Sequence, residues 1–148
     1  MDQTSDATDV VWAKRKQDAW EILGDTMTKL PVRFWEENML FSGVSNVWWR
    51  KQSGGFPATK YSSGSHPLFV LKSKGNVGFL VCPCSSSGSP SARFISKGCK
   101  LLSSGNIMDR DSFLVERFAF SLPMNSTFSD QPDFKGKVPE TCILRSCR

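Results

Sequence analysis

The chain lacks any acidic side chain between Glu37 and Asp109, although these 71 residues contain eight lysines and arginines. The imbalance is regional: residues 1–40 hold eight acids and five bases (−3), and the remainder holds six acids and fourteen bases (+8). A field of one sign over a folded surface attracts anions and weakens as salt is added. The pattern therefore favours an anionic partner, which is either a nucleic acid or an acidic protein surface. The eight bases are Arg50, Lys51, Lys60, Lys72, Lys74, Arg93, Lys97 and Lys100.

Four further absences narrow the class of protein. No apolar run approaches the roughly 18 residues of a membrane span, so we expect no membrane association. Residues 1–9 are acidic and polar, unlike a secretory signal, which predicts a cytoplasmic location. The five cysteines are an odd number without a signal, which argues against a disulfide framework. His66 is the only histidine, and the C-x-C and C-x4-C spacings do not fit zinc, so we predict no metal and no cofactor.

Eleven phenylalanines and five tryptophans supply enough bulk for the core of one small domain. Helical spacing of apolar residues predicts a first helix over about Val10 to Leu23. A second helix is predicted to start at Pro31 and end before Gly43, with Phe34, Trp35, Met39 and Leu40 on its buried side.

From Val44 onward the pattern favours short strands separated by turns. Two of them, Leu68 to Lys72 and Val77 to Pro83, are joined by a tight turn at residues 73–76 and form a hairpin. Cys82 and Cys84 share one face of the second, which predicts burial. The other predicted strands are Val44 to Arg50, with Trp48 and Trp49 facing opposite ways, Ala92 to Ser96, Ser112 to Phe120 and a short one at Cys99 to Leu102.

The predicted fold is mainly β with N-terminal helices (α+β): a small barrel preceded by a two-helix extension. Three regions follow from this: an acidic helical extension over residues 1–43, a barrel over 44–121, and a loop-rich tail over 122–148. The tail is expected to end in a short ordered element around Cys142 to Leu144.

Polar residues flank the predicted hairpin at one end. Gly64-Ser65-His66-Pro67 leads into the first strand, and Pro83-Cys84-Ser85-Ser86 ends the second. Because the start of one hairpin strand lies beside the end of the other, we expect His66 and Ser85 to be neighbours at one mouth of the barrel. Arg50 and Lys51 are expected to reach the same mouth.

These two motifs resemble the MazF/PemK family of bacterial toxin ribonucleases, which has Gly-x-Arg-Pro before an apolar strand and Pro-x-Thr after the next. The segment Asn46-Val47-Trp48-Trp49 looks like the first strand of that family, and Ser112-Phe113-Leu114-Val115 looks like a later one. The resemblance covers roughly Val44 to Phe120.

The resemblance implies a small SH3-like barrel that can form homodimers, and metal-independent cleavage of single-stranded RNA through attack of the 2′-hydroxyl on its phosphate. Its catalytic positions correspond to His66 and Ser85, with Arg50 beside them. His66 replaces the arginine of the family, and a mostly neutral imidazole is a poor substitute for a permanent forked cation. The residues expected to bind a nucleic acid or another anion are Arg50, Lys51, Lys60, Ser86 and Arg93. A structural interpretation competes with each role: His66 as a loop residue, Ser85 to Ser91 as a flexible loop, and the tryptophans as core.

Three functions are compatible with these features. The first is a divergent, non-catalytic interaction or regulatory module in a bacterial defence or toxin-type system, since PemK-like proteins also occur as accessory members of defence loci, including some CRISPR systems. Its partner would be a protein from the same operon, held by the barrel groove or by the helical extension through Trp12, Trp20 and Trp35. The second is an active endoribonuclease, and the third is a non-catalytic RNA- or DNA-binding domain.

Overall fold

The computed structural model describes residues 29–57 and 64–146, in which β-strands predominate and form an antiparallel sheet curled into a half-barrel. The strands are β1 (Met39–Ser45), β2 (Ser65–Ser73), β3 (Gly78–Ser85), β4 (Arg93–Ile95), β5 (Ser112–Leu114), β6 (Phe120–Pro123), β7 (Asp133–Lys137) and β8 (Ile143–Arg145). One α-helix lies in the described residues, α1 (Asn46–Ser53), with short 3-10 turns at Val32–Phe34, Gly75–Val77, Glu116–Phe118 and Glu140–Cys142. The predicted mainly β fold is confirmed. Of the two predicted helices, the one starting at Pro31 is replaced by a 3-10 turn and β1, and the one over Val10 to Leu23 lies outside the described residues.

The sheet has the order β7-β1-β2-β3-β5-β4-β8, and β6 pairs separately with β3. Strand β3 pairs with β6 along Gly78 to Val81 and with β5 at Cys84 and Ser85, so it belongs to both halves of the curled sheet. The hairpin of β2 and β3 is confirmed, with Leu68 opposite Pro83 and Val70 opposite Val81.

The predicted strand from Val44 to Arg50 is wrong, because the chain leaves β1 at Ser45 and continues as α1. Ser45 is the N-cap residue, and its hydroxyl accepts a hydrogen bond from the Trp48 N–H at 3.2 Å. Gly54 ends the helix in the left-handed conformation, with φ of 80° and its N–H bonded to the Arg50 carbonyl. A capped helix start and a glycine stop outweighed the strand preference of the intervening valine and tryptophans.

The predicted helix from Pro31 to Gly43 is also wrong. Only Val32–Phe34 forms a helical turn, of the 3-10 type, and Met39 onward is strand. Met39, Leu40 and Phe41 are all buried because both faces of β1 are covered. A strand buried on both faces is a continuous apolar run, and period alone does not distinguish such a run from a helix segment.

Two hydrophobic cores cover opposite faces of the β1–β2–β3 sheet. The aromatic core takes Phe41, Leu68 and Val81 from the strands, together with Trp35, Trp49 and Phe56. The cysteine core takes the alternate strand positions, with Leu40, Phe69, Cys82 and Cys84 packed against Ile95, Cys99, Leu101, Leu114 and Val138. Alternation along each strand therefore divides the apolar residues between the two cores.

The sheet crosses both boundaries of the three predicted regions. The boundary at residue 44 falls inside β1, and the predicted tail contains β7, which pairs with β1 through Gly136 opposite Leu40. The expected ordered element near Cys142 is confirmed as the 3-10 turn Glu140–Cys142 followed by β8. The predicted strand from Ser112 to Phe120 is divided into β5 and β6 by the turn Glu116–Phe118. The predicted strand at Cys99 to Leu102 forms only isolated bridges, at Lys100 and Leu102.

The prediction for the cysteines is corrected in one respect. Cys99 and Cys142 form a disulfide, with their Cα atoms 5.9 Å apart and 43 residues apart in sequence. Cys82 and Cys84 are free and fully buried, as expected from their shared face of the strand. The odd number of cysteines did not exclude one disulfide. The tertiary structure brings Cys99, in the loop after β4, against Cys142, in the turn before β8. Cys147 lies outside the described residues.

Within the described part of the chain, no helix is both long and apolar enough to cross a membrane.

Candidate binding cleft at the serine-rich loop

His66, the main catalytic candidate, is held in a structural environment at the start of β2. Its Nδ1 lies 2.6 Å from Oδ1 of Asn46, a residue that is itself buried at the start of α1. The imidazole meets the Phe56 ring edge to face, at 4.8 Å between centroids, and the His66 carbonyl accepts a hydrogen bond from the Trp49 indole at 3.0 Å. Burial lowers the pKa of His66 below its ordinary value. The side chain is therefore a neutral hydrogen-bonding link between α1 and β2 at pH 7.

Ser85, the second catalytic candidate, is directed elsewhere. The ladder between β2 and β3 ends at Leu68 opposite Pro83, two residues short of both His66 and Ser85. Beyond that point His66 pairs with Val44 of β1, and Ser85 pairs with Phe113 of β5. The β2–β3 pairing thus stops before both candidate residues, and Ser85 lies where β3 pairs with β5.

Ser85 lines a cleft of about 460 Å³, which we call the serine cleft. One wall is the polar loop from Ser85 to Ala92, and the other is the segment from Leu114 to Arg117 after β5. Phe56 contributes an aromatic surface, and its ring also contacts His66, which does not itself line the cleft. The cleft thus combines an apolar floor of Phe56, Leu114 and Val115 with hydroxyl groups on one side and charge on the other.

The serine-rich loop is held against the sheet by close packing at Gly88. A Cβ at this position would lie 2.4 Å from Cδ2 of Phe113, which is far inside van der Waals contact. Phe113 in turn packs on Phe94 of β4, with ring centroids 5.2 Å apart. Only glycine allows the loop to lie this close to the ring, and this contact fixes one wall of the cleft.

The charged side chains at the cleft differ in whether a neighbouring group of opposite charge already binds them. Glu116 is bound by both Nε and Nη2 of Arg93, at 3.0 and 2.7 Å, and this hydrogen bonding raises the pKa of Arg93. Arg117 is exposed and lies over the Phe118 ring at 5.2 Å from its centroid. Because Arg93 offsets the charge of Glu116, Arg117 leaves the cleft with a net positive charge.

The other predicted site residues are dispersed. Arg50 lies on α1 with its Nε 3.5 Å from the Pro57 carbonyl, Lys51 is exposed on the same helix, and Ser86 is exposed after β3. Arg93 was expected to bind an anion, but its guanidinium holds Glu116. Lys60 lies outside the described residues.

Trp35 was expected to contact a partner, but only 4% of it is exposed. Its indole N–H donates to the Leu30 carbonyl at 2.8 Å, and its ring stacks on Phe41, so it belongs to the aromatic core. Trp12 and Trp20 lie outside the described residues.

The buried thiols cannot serve the cleft as nucleophiles at neutral pH. Burial raises the pKa of Cys84 to about 12 and that of Cys82 well above its ordinary value. A thiolate is the reactive form, so both behave as small apolar groups. Within residues 29–57 and 64–146, no cluster of three or more histidine, cysteine or acidic side chains is placed to hold a metal ion.

Three of the cleft residues were missed from sequence: Phe56, Gly88 and Arg117. Phe56 follows a Gly-Gly turn, and Arg117 lies beyond the acid-free segment that drew attention to the basic residues. Gly88 lies in the serine-rich loop and Arg117 lies in the predicted strand Ser112 to Phe120, so the three residues share no sequence signal that indicates a common site.

Comparison of the chain with protein-family models, curated proteins and solved structures finds no match.

Proposed function

We propose that this protein is a non-catalytic binding module, built on an SH3-like barrel of the MazF/PemK type, that docks a protein partner in the serine cleft. The observation that carries the proposal is the position of His66. The imidazole is hydrogen-bonded to Asn46, partial burial lowers its pKa, and it does not line the cleft that Ser85 lines. A general acid or base has to reach the reacting proton, whereas Nδ1 of this imidazole is already bonded to Asn46 and the ring packs on Phe56.

The composition of the serine cleft supports docking of a polypeptide segment. Protein interfaces combine an apolar centre with a polar rim. Here the centre is Phe56, Leu114 and Val115, and the rim is the serine-rich loop. Arg117 supplies the net charge, so the segment expected to fit carries both an apolar anchor and a carboxylate.

The resemblance in sequence adds the expected setting. A regulatory module of this type would act with a protein encoded beside it, in a bacterial defence or toxin-type system. Docking at the serine cleft requires no cofactor.

A ribonuclease assay tests the non-catalytic part of the proposal. The purified protein should leave a pool of varied single-stranded RNA intact, and the His66→Ala variant should be indistinguishable from it. Cleavage by the parent protein that is lost in His66→Ala would overturn the proposal in favour of an endoribonuclease.

The docking part is tested with purified products of the adjacent genes by isothermal titration calorimetry. Arg117→Glu reverses the charge of the cleft and should weaken binding at least tenfold. Lys72→Glu makes the same charge change on exposed β2 surface near the other end of the hairpin and should leave the affinity unaltered. Equal losses in the two variants would indicate a general electrostatic effect and contradict docking at the serine cleft.

A further inference from the structure

We propose that the Cys99–Cys142 disulfide is a redox switch for the serine cleft: a protein partner docks tightly while the bond is formed and weakly once it is reduced. The bond lies beside strand β8, and β8 in turn contacts one wall of the cleft. The inference rests on the function proposed above, because it concerns the regulation of docking at the same site.

Strand β8 and the residue after it hold the serine-rich loop through two hydrogen bonds. Nη1 of Arg145 donates to the Ser91 carbonyl at 2.7 Å, and the Ser146 N–H donates to the Ala92 carbonyl at 2.9 Å. Ser91 and Ala92 both line the serine cleft. Ser91 also has a φ of 65°, a left-handed conformation that residues other than glycine rarely adopt unless neighbouring contacts hold them there. The position of this wall therefore depends on β8.

The position of β8 depends in turn on the disulfide. The strand is three residues long, and among the described strands it pairs with β4 alone. Its first residue, Ile143, lies opposite Ile95 at the end of β4, and Cys142 just before it is bonded to Cys99 in the loop after β4. The bond thus closes one end of the β4–β8 ladder. The serine-rich loop lies at the other end, about 10 Å away at about 3.3 Å per residue.

Reduction leaves β8 attached to the sheet by the short ladder to β4. Leu144 and Arg145 are exposed, so the strand buries little apolar surface of its own. Edge segments with few buried contacts open at a low free energy, and opening of β8 releases Ser91 and Ala92. A partner then has to order this wall of the cleft as it binds, which lowers its affinity.

The reaction is thiol–disulfide exchange with a dithiol or with two molecules of a small thiol. Cys142 is half-buried, whereas Cys99 is 5% exposed, so the attacking thiolate reaches Sγ of Cys142 more readily. This attack forms a mixed disulfide and releases Cys99 as a thiolate, which takes up a proton. The second thiol of the reductant then displaces Cys142, so that two electrons pass to the protein and the reductant leaves as a disulfide. Accessible disulfides are the ones that respond to thiol pools in this way.

The switch is tested by titration calorimetry with the purified products of the adjacent genes, against the oxidised protein and against the protein reduced by a dithiol. Reduction should weaken docking about tenfold, within the range typical of coupled sites. The Cys99→Ser/Cys142→Ser variant should dock as weakly as the reduced parent and should not respond to the dithiol. Docking of equal strength in both redox states would overturn the switch and leave the proposed function standing, whereas absence of docking in the oxidised protein would overturn both.

Two arginine variants test the path from the bond to the cleft. Arg145→Gln removes the hydrogen bond to Ser91 and should weaken docking in the oxidised protein, with a smaller further loss on reduction than in the parent. Arg33 is exposed beside the hairpin turn of β2 and β3, and Arg33→Gln makes the same charge change there, so it should leave docking and the redox response unaltered. An Arg145→Gln variant that loses as much on reduction as the parent would contradict the assigned path.

Amide chemical shifts measured by NMR show whether the change is local. Reduction should shift the amide signals of Ser91, Ala92 and β8, and it should leave those of Val70 and Val81 in the aromatic core in place. Shifts throughout the chain would indicate loss of the whole fold and overturn a local switch. Cys147→Ser should respond to the dithiol as the parent does, and a lost response would assign the switch to Cys147 and overturn the present assignment.

Discussion

The two cores on either face of the β1–β2–β3 sheet are stabilised in different ways. The aromatic core is a continuous set of ring contacts: Trp35 stacks on Phe41 at 4.2 Å, and Trp49 meets Phe56 and Phe120 edge to face. The cysteine core is built from smaller side chains, and it is closed by the covalent bond between Cys99 and Cys142. Large rings stabilise a core because each one buries much apolar area. Short strands with small side chains bury less, and a disulfide adds to their stability by constraining the unfolded chain.

The two cores position opposite sides of the serine cleft. The aromatic core holds α1 and Phe56, and thereby the floor of the serine cleft and the environment of His66. The cysteine core holds β4, β5 and β8, which carry the opposite wall. Three substitutions, taken in order of expected effect, test the division.

Removing the largest buried ring should have the largest effect. Trp49 is fully buried, and Trp49→Ala should lower the free energy of unfolding by about 3–5 kcal/mol, measured by urea denaturation. Trp48, its neighbour on α1, is half-buried, so Trp48→Ala is the matched control and should lose clearly less. Equal losses would mean that α1 is not anchored by Trp49. If Trp49→Ala does not fold, Trp49→Phe should show an intermediate loss.

Breaking the disulfide should have the second largest effect. The Cys99→Ser/Cys142→Ser double variant should lose about 2–4 kcal/mol, since the bond closes a long loop in the unfolded chain. A dithiol reductant should bring the parent protein to the stability of the double variant and leave the double variant unchanged. Thiol titration of the denatured protein should detect two more thiols after reduction of the Cys99–Cys142 bond than before it. Five reactive thiols, or no response to reductant, would contradict the cross-link.

The smallest effect concerns pH. The pKa of His66 is lower in the folded protein than in the unfolded chain, so the unfolded chain binds more protons as the pH falls below about 6.5. The stability that a neutral His66 provides is present above that pH and is lost as the pH falls through the folded pKa. His66→Gln, which can still bond to Asn46, should flatten the dependence of the melting temperature on pH between 7 and 5.5. An unchanged pH profile would show that His66 is not held neutral.

Much of the sheet was predictable, because turn chemistry and alternation are local. The hairpin of β2 and β3, strand β4, and the burial of Cys82 and Cys84 all followed from residues adjacent in sequence. The predictions failed at Met39–Ser45 and Asn46–Ser53, where strand and helix were exchanged. Strand Met39–Ser45 is covered on both faces, so its run of apolar residues is the same pattern that a buried helix gives. In helix Asn46–Ser53, the capping serine before it and the glycine after it outweigh the strand preference of the residues between them.

The candidate site was less predictable than the fold. Sequence proximity through the hairpin predicted that His66 and Ser85 would be neighbours, and the structure shows that the β2–β3 pairing ends two residues before both of them, at Leu68 and Pro83. The sequence showed that basic residues are concentrated between Glu37 and Asp109. It did not show which of these bases are neutralised by an acid, because Arg93 and Glu116 are 23 residues apart and meet only in the folded sheet.

By itself the sequence determined the β character, the hairpin, the basic middle of the chain and the burial of two cysteines, since each depends on spacing or composition. The tertiary structure alone decided which cysteines bond, which arginine remains available, and that His66 bonds to Asn46 and packs on Phe56. These outcomes depend on contacts between residues far apart in the chain, and the curvature of the sheet fixes them.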